Sequence, residues 1–301
     1  MDPSVLQPRI NRYIEHEKEL AAYLEDLRRR SVGAVALDLE GDQGTIRYAY
    51  SISIIQCFDG SETAVIDVLS LGNNPALRAL RAFLIDPAIV KIMFSCANDV
   101  FMAQNVLGCT IAPVRDIAVG QKLLKMPVNL SEYLKIDKKV KDSFQRANWL
   151  KRPIRPQLLN YAINDVMELF TIEREIAAKL REKGAYDEYV KGSALLTEKN
   201  YIIDNMRHYQ AKFPGYRNLG PDKRRKAAVA WVFRELMGRH FDCPVGYILS
   251  KRALAEAVAD SSNMAVSLER ELNRGRSTEK RVKKALVEKY FNEAMRISGG
   301  P

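Results

Sequence analysis

The sequence predicts an α/β domain with a mixed sheet, followed by a smaller all-helical domain. Apolar runs of strand length alternate with segments of helical spacing through residue 182, and only helical spacing follows Pro221. The charge is equally uneven. Residues 191–301 contain 22 Lys and Arg against 12 Asp and Glu, whereas residues 1–190 contain 25 of each, so the net charge of +10 belongs to the last third. A neutral domain and a basic domain suited to a polyanion are therefore expected.

The elements of the first domain follow from periodicity. Residues 32–39 and 49–56 are apolar and partly β-branched, and predict two central strands joined as a hairpin by a turn at 42–44. Residues 64–68 and 89–93 predict further strands, and 75–84 and 98–107 predict helices. Residues 155–182 keep a 3.6-residue apolar period after two prolines, which predicts one long amphipathic helix.

The remaining chain predicts a connector and a helical unit. Residues 191–221 are polar with scattered aromatic residues and end in a turn-like Asn-Leu-Gly-Pro sequence. Helical spacing and capping residues predict helices over 222–238, 250–259, 265–273 and 277–295. The predicted domains are thus 1–190 and 222–301, with the connector between them.

Composition excludes several classes of protein. No apolar run approaches the roughly 18 residues of a membrane span, and the N-terminus lacks the apolar stretch of a secretory signal. An intracellular, most simply cytoplasmic, location is expected, with an organelle left open. Four cysteines without a CxxC pair and three histidines predict neither disulfides nor a zinc site. No GxxxxGK[ST] loop occurs, so no nucleotide cofactor is expected, and nothing indicates a protein partner.

Two groups of residues are candidates for chemistry. Asp38 and Glu40 lie two apart at the end of an apolar strand, so both carboxylates point to one face and could grip a divalent cation. The alternative is a strand end that reaches solvent. Tyr161 and Asp165 lie one helical turn apart, where a phenol could orient a water molecule, although such pairs are also ordinary on helix surfaces. Asp99 adds a carboxylate at a β-to-α junction.

These residues belong to three segments that resemble the motifs of the DEDDy 3′→5′ exonucleases, ribonuclease D in particular. The segments are Asp38-Leu39-Glu40, the stretch from Lys91 to Asp99, and the stretch from Tyr161 to Val166. Supporting similarities occur at 54–56, 129–134 and 148–154, in the same order along residues 30–180. The basic C-terminal part resembles one HRDC domain, through residues 226–231 and 243–249.

The resemblance implies an RNase H-like catalytic fold. It implies that Asp38, Glu40, Asp99 and Asp165 hold two divalent metal ions, Mg²⁺ or Mn²⁺, and that Tyr161 positions the attacking water. The expected activity is 3′→5′ hydrolysis of single-stranded or 3′-frayed RNA to nucleoside 5′-monophosphates. A catalytically inactive RNA-binding scaffold of the same fold is the alternative. The histidine variant of the superfamily is disfavoured, because Asn160 stands at its position.

Two positions depart from the family pattern. Phe94 stands where the family often has His, and Gly41 stands where an aromatic residue often follows the first motif. Neither is an expected metal ligand, so we expect these departures to change specificity rather than metal binding.

Basic and aromatic side chains are candidates for RNA contact. The candidates are Arg152, Arg155, Lys223, Arg224, Arg225, Lys226 and Tyr247, and the basic stretch 274–284. For the basic runs the alternative is a solvated helix face. For Arg152 the alternative is a structural salt bridge in the turn before the long helix.

Overall fold

The chain folds into two compact units in the computed structural model, which describes residues 10–72, 74–130, 143–260, 263–274 and 281–299. Unit 1 contains the chain up to Asp42 together with Tyr50–Ile202, and unit 2 contains Gln43–Ala49 together with the chain from Ile203. The predicted boundary at residue 190 differs from this division. It falls inside the helix Tyr186–Glu198, whose Tyr189 is buried in a core of unit 1.

Within the described residues, unit 1 is built on a six-stranded sheet. Its strands are β1 (Arg12–Ile14), β2 (Ala34–Gln43), β3 (Tyr50–Phe58), β4 (Thr63–Asp67), β5 (Val90–Met93) and β6 (Val114–Asp116). Its helices are α1 (Glu17–Arg29), α2 (Val68–Leu71), α3 (Asn74–Leu84), α4 (Ala97–Met102), α5 (Ile117–Leu123), α6 (Pro156–Met167), α7 (Leu169–Glu182) and α8 (Tyr186–Glu198). A π-helical segment, Ala103–Leu107, continues α4.

The strand order is β1-β4-β3-β2-β5-β6. Strands β3 and β4 are antiparallel, whereas β2 and β5, β5 and β6, and β1 and β4 are parallel. This order confirms the mixed sheet and the central place of β2 and β3. The edge strands β1 and β6 were not predicted, because three residues are too few to show an alternating pattern.

Each face of the sheet has its own core. Val35 and Leu37 of β2 pack in one core with Leu20 of α1 and Leu80 of α3. Ala36, whose side chain points the other way, packs in a second core that includes residues of α6 and α7. Alternate residues of β2 therefore face different helical layers.

The predicted long helix over 155–182 is two helices, which is a correction. Helix α6 ends at Met167 and α7 begins at Leu169, with Glu168 between them. The two helices pack on different partners: α6 lies against β3 and β4, and α7 lies against α5 and β5. One uninterrupted apolar period runs through both helices, so the break is decided by their packing partners and not by a Gly or Pro signal.

Unit 2 is helical around one core. Its described helices are α9 (Tyr209–Lys212), α10 (Pro221–Phe241), α11 (Val245–Ile248), α12 (Lys251–Ala259), α13 (Met264–Asn273) and α14 (Lys284–Ile297). The four predicted helices correspond to α10, α12, α13 and α14. The predicted start of the last one, at 277, lies outside the described residues. No helix in the described ranges is both long and apolar enough to cross a bilayer.

The segment between β2 and β3 belongs to unit 2. Arg47 donates from Nε to Asp242 Oδ2 at 2.7 Å, and the Tyr48 hydroxyl donates to Glu235 Oε2 at 3.2 Å. The Arg239 guanidinium lies 5.8 Å from the centre of the Tyr48 ring. The predicted tight turn at 42–44 is therefore wrong, because β2 continues to Gln43 and the following residues pack on α10.

Candidate active site

Two of the predicted carboxylates lie on the central strand β2. Asp38 and Glu40 have the same orientation as Ala36, so they point to the face that carries α6 and α7. Both side chains are half-buried. They lie within β2 rather than at its end, because the strand continues to Gln43. A strand end that merely reaches solvent does not describe this geometry.

The other three candidates lie on helices. Asp99 is in the first turn of α4, directly after β5, and is 6% exposed. Tyr161 and Asp165 lie on α6, where they are 4% and 7% exposed. Such burial does not fit side chains that merely lie on the surface of a helix, since ionisable side chains are rarely buried without a partner or a function.

The electrostatics show that these five side chains share one site. Burial raises the pKa of Glu40 well above its usual range, and the charges of Asp38, Asp165 and Asp99 raise it further. The pKa of Asp99 is raised by burial and then by Asp38. Burial also raises the pKa of the Tyr161 phenol, followed by the charge of Asp165 and a hydrogen bond with it. The structure therefore brings the five residues together from β2, α4 and α6.

The donor set fits hard divalent cations in its chemistry. Four carboxylates crowd together, and Mg²⁺ and Mn²⁺ prefer such oxygen ligands. Within the described residues, no three Asp, Glu, His or Cys side chains converge into a finished cage for one ion. Mutual repulsion adds to burial in raising the pKa values of Glu40 and Asp99, and a cation placed among the carboxylates would relieve it.

Asp116, at the end of β6, organises the turn that places Asp99, and the sequence interpretation missed it. Its carboxylate accepts the amide of Ser95 at 3.1 Å and that of Cys96 at 2.8 Å. Ser95 has φ = 57°, a strained backbone for a residue with a side chain. An Asp that ends a strand and caps the next helix is a local signal, but its bonds to a turn 20 residues earlier are tertiary.

The two residues that depart from the family pattern have structural settings. Phe94 packs against the core that includes Ala36. A Cβ atom built on Gly41 would lie 2.1 Å from the Ser51 carbonyl oxygen and 3.1 Å from Ile52 Cα of the neighbouring strand. No side chain fits at position 41 in this backbone, so glycine is required there.

Arg152 requires a correction. Its guanidinium makes a bidentate ion pair with Asp67, at 2.6 Å from Nε and 2.7 Å from Nη2. Its remaining donors bond to Ser53, Trp149 and Lys151. The alternative interpretation, a structural salt bridge, therefore describes Arg152. Arg155, in contrast, is exposed at the start of α6.

The candidate RNA-contact residues of unit 2 differ in their surroundings. Lys226 pairs with Asp222 at 3.1 Å, and Arg224 donates to the Arg217 carbonyl oxygen and lies over the Tyr216 ring. Three others are exposed: Lys223, Arg225 and Tyr247. Tyr247 is 75% exposed, which is high for so large an apolar ring. Positions 131–134 and 275–280, from the supporting motif and the basic stretch, lie outside the described residues.

Comparison with known proteins gives consistent matches. A family model described as 3′-5′ exonuclease matches residues 11–181. The Ribonuclease D of Xanthomonas oryzae pv. oryzae is 26% identical over 249 residues, which cover 81% of this chain and 66% of that protein. The chain spans between half and two thirds of the length of such curated relatives.

Solved structures share the fold. The crystal structure of Escherichia coli RNase D, described as an exoribonuclease involved in structured RNA processing, matches with a TM-score of 0.75 and 21% identity, over 94% of this chain and 74% of that one. The Brucella melitensis NrnC structure with bound Mg²⁺ matches with a TM-score of 0.50 and 20% identity, over 63% of this chain and 90% of that one.

Proposed function

Since the chain belongs to the 3′-5′ exonuclease family, we propose that it is a metal-dependent 3′→5′ exoribonuclease of the ribonuclease D type. The reaction is hydrolysis of the terminal phosphodiester, with release of nucleoside 5′-monophosphates. The observation that carries the proposal is the meeting of Asp38, Glu40, Asp99 and Asp165 with Tyr161 in one electrostatically coupled site. The matches to ribonuclease D bear out the resemblance and the fold that the motifs indicated.

The carboxylates supply the ligands of the proposed metal centre. Asp38 and Glu40 lie on the central strand β2, while Asp99 lies on α4 and Asp165 lies on α6. When bound, two divalent ions would stabilise the attacking and the leaving oxygens of the phosphodiester. Cations among the carboxylates would favour their ionised form, whose negative charge would hold such ions beside a phosphate. Bound Mg²⁺ in the NrnC structure supports the choice of cation, and Mn²⁺ is the second candidate.

Tyr161 orients the attacking water in this proposal. A phenol is protonated at neutral pH, so its hydroxyl can donate one hydrogen bond and accept another. Asp165 lies within hydrogen-bonding reach of it, and the surrounding core limits its movement. Tyr161 would therefore hold the water in line with the phosphorus atom, a positioning effect of the kind that lowers the barrier of a bimolecular step.

The proposed substrate is single-stranded or 3′-frayed RNA. Ribonuclease D relatives support RNA, and the basic composition of residues 191–301 supports binding of its phosphates in a single HRDC-like domain. In unit 2, Lys223 and Arg225 are exposed for phosphate contact and Tyr247 is exposed for base stacking. Arg155 is the corresponding candidate in unit 1. We further propose that the protein acts inside the cell, where such RNA is made.

The test is degradation of a 5′-labelled single-stranded RNA in Mg²⁺ or Mn²⁺. The wild type should shorten the RNA progressively from its 3′ end, Asp38→Asn should abolish this, and Tyr161→Phe should slow it by about 10²-fold or more. Asp187→Asn, which changes an exposed carboxylate at the start of α8, is the matched control and should retain activity. Intact RNA that is retarded in a gel by the wild type would favour the inactive scaffold instead.

A further inference from the structure

The segment that leads into α6 is anchored by one arginine whose donors are all engaged. Arg152 gives Nε and one Nη2 hydrogen to Asp67, and the other Nη2 hydrogen to Ser53 Oγ at 3.0 Å. Its Nη1 donates to the carbonyl oxygens of Trp149 at 2.8 Å and Lys151 at 3.2 Å. A guanidinium has five N–H donors, so none is left for an RNA phosphate.

The acceptor of this pair is built into the sheet. Asp67 ends β4, and its side chain is completely buried. Its carboxylate also accepts the Tyr13 hydroxyl at 2.9 Å and the Ser70 amide at 3.0 Å. Although burial alone would raise the pKa of Asp67, the hydrogen bonds from Arg152 and Ser70 hold it below its usual value. The Asp67 carboxylate is thus charged and held in one position, so it can hold the Arg152 guanidinium in place.

The anchored segment contains two aromatic residues that lead to the candidate active site. Ser53 Oγ of β3 donates to the Trp149 carbonyl oxygen at 2.6 Å, so this carbonyl is held by Ser53 and Arg152 together. Trp149 is 1% exposed and donates from its indole nitrogen to the Phe144 carbonyl oxygen at 3.2 Å.

These aromatic residues pack beside Tyr161. The Phe144 ring centre lies 5.2 Å from that of Tyr161, and Trp149 and Tyr161 belong to the same buried cluster. A fully packed core transmits small displacements, because it has few voids to absorb them. A displacement of the Trp149 carbonyl would therefore also displace the Tyr161 ring.

We propose that Arg152 is a positioning residue for Tyr161. Its ion pair with Asp67 holds the Phe144–Trp149 segment against the Tyr161 ring, and this contact sets the place of the phenol hydroxyl. The catalytic half of this inference rests on the function proposed above. Because Arg152 acts through Trp149 and Phe144, its loss should lower kcat while RNA binding is preserved.

The test compares Arg152→Ala, Arg152→Lys and the matched control Arg174→Ala, which removes an exposed arginine of α7. All are made in a Trp231→Phe parent, so that Trp149 is the only tryptophan. The readouts are kcat and KM on single-stranded RNA, and the fluorescence of Trp149. Ser53→Ala removes the two hydrogen bonds of the Ser53 hydroxyl, one to the Trp149 carbonyl and one from Arg152, but keeps the ion pair with Asp67. It serves as a milder variant if an Arg152 variant does not fold.

Both Arg152 variants should lower kcat by about tenfold or more with KM nearly unchanged, because the loss is confined to the transition state. Trp149 emission should shift to the red and become more accessible to acrylamide. Added guanidinium ion should partly restore kcat and emission in Arg152→Ala, because it can refill the site beside Asp67. Arg174→Ala should keep the parent kcat and emission, and Ser53→Ala should fall between parent and Arg152→Ala.

Two results would overturn the inference. One is a raised KM with unchanged kcat and unchanged Trp149 emission in the Arg152 variants, which is the behaviour of a phosphate contact. The other is parent-like emission and quenching in Arg152→Ala, whatever its activity. If the wild type does not shorten RNA, the proposed function fails, but the emission comparison still decides whether Arg152 holds this segment.

Discussion

Replacement of Gly41 by alanine probes how closely β2, the strand that carries Asp38 and Glu40, is packed. The new Cβ would lie 2.1 Å from the Ser51 carbonyl oxygen, against the 3.4 Å or more of ordinary van der Waals contact. Because the obstacle is backbone, no side-chain rotation relieves it, and strands β2 and β3 would have to separate by about 1 Å. Overpacking of this kind costs up to about 3 kcal/mol, and a rigid backbone obstacle places Gly41→Ala at that upper end.

Gly33→Ala, immediately before β2, is the matched control. A Cβ at position 33 meets nothing within 4 Å, so the variant should be neutral or gain up to about 1 kcal/mol from a less flexible unfolded chain. The two variants should therefore differ by roughly 3 kcal/mol or more in the free energy of unfolding. Urea unfolding followed by Trp149 fluorescence, with both variants made in the Trp231→Phe parent, measures this difference in unit 1.

Gly41→Ala should also lose RNA-shortening activity, because Glu40 is the adjacent residue and would move with the strand. Gly33→Ala should keep it. If Gly41→Ala unfolds at the same urea concentration as the wild type and shortens RNA at the same rate, the close approach of β2 and β3 is not a real constraint and the reasoning is refuted.

Three further predictions concern the polar side chains of Lys91, Asp116 and Ser250. Lys91 is fully buried, and desolvation lowers its pKa to about 8 from 10.5. The buried positive charge of Lys91 therefore destabilises the folded state below pH 8. This destabilisation is lost progressively as the pH rises from 8 to about 10.5. The free energy of unfolding of the wild type, measured with urea, should rise relative to Lys91→Met by about 3 kcal/mol across that window, and a constant difference would contradict the assignment. Asp116→Asn should cost about 1–3 kcal/mol and slow RNA shortening, since one amide of the turn before Asp99 loses its acceptor; unchanged stability and rate would show that the turn holds without it. Ser250 caps α12 by accepting the Ala253 amide, so Ser250→Ala should lower the free energy of unfolding of unit 2 by about 1 kcal/mol, while Ser250→Thr should keep most of that free energy. The measurement is urea unfolding followed by Trp231 fluorescence in a Trp149→Phe parent, and equal losses in the two variants would argue against the cap.

Local patterns predicted much of the fold and the candidates of the site. Alternating apolar residues predicted β2 and β3, and capping residues predicted the start of α12 at Ser250. The spacing of Asp38 and Glu40 and of Tyr161 and Asp165 predicted which candidate side chains share a face. Such signals depend on strand and helix periods, which are properties of a short stretch of chain.

Features that depend on distant partners were not predictable in this way. The short strand β1 exists because it pairs with β4, some 50 residues later in the chain. The break at Glu168 follows from the different packing partners of α6 and α7. The assignment of Gln43–Ala49 to unit 2 depends on Asp242 and Glu235, which lie far along the chain.

The sequence by itself determined the α/β and helical parts, the charge asymmetry and the candidate residues of the proposed metal site. These features depend on residue type and on the periodicity of short stretches of chain, which neighbouring residues are enough to define. Only the tertiary structure decided what Arg152 and Gly41 do. From the sequence, an arginine before a helix is equally suited to bind a phosphate or a carboxylate. The structure shows that Arg152 donates to Asp67, which is 85 residues away in the chain. From the sequence, Gly41 is only a missing aromatic side chain. The structure shows that the backbone of the neighbouring strand occupies the space that a side chain at position 41 would need.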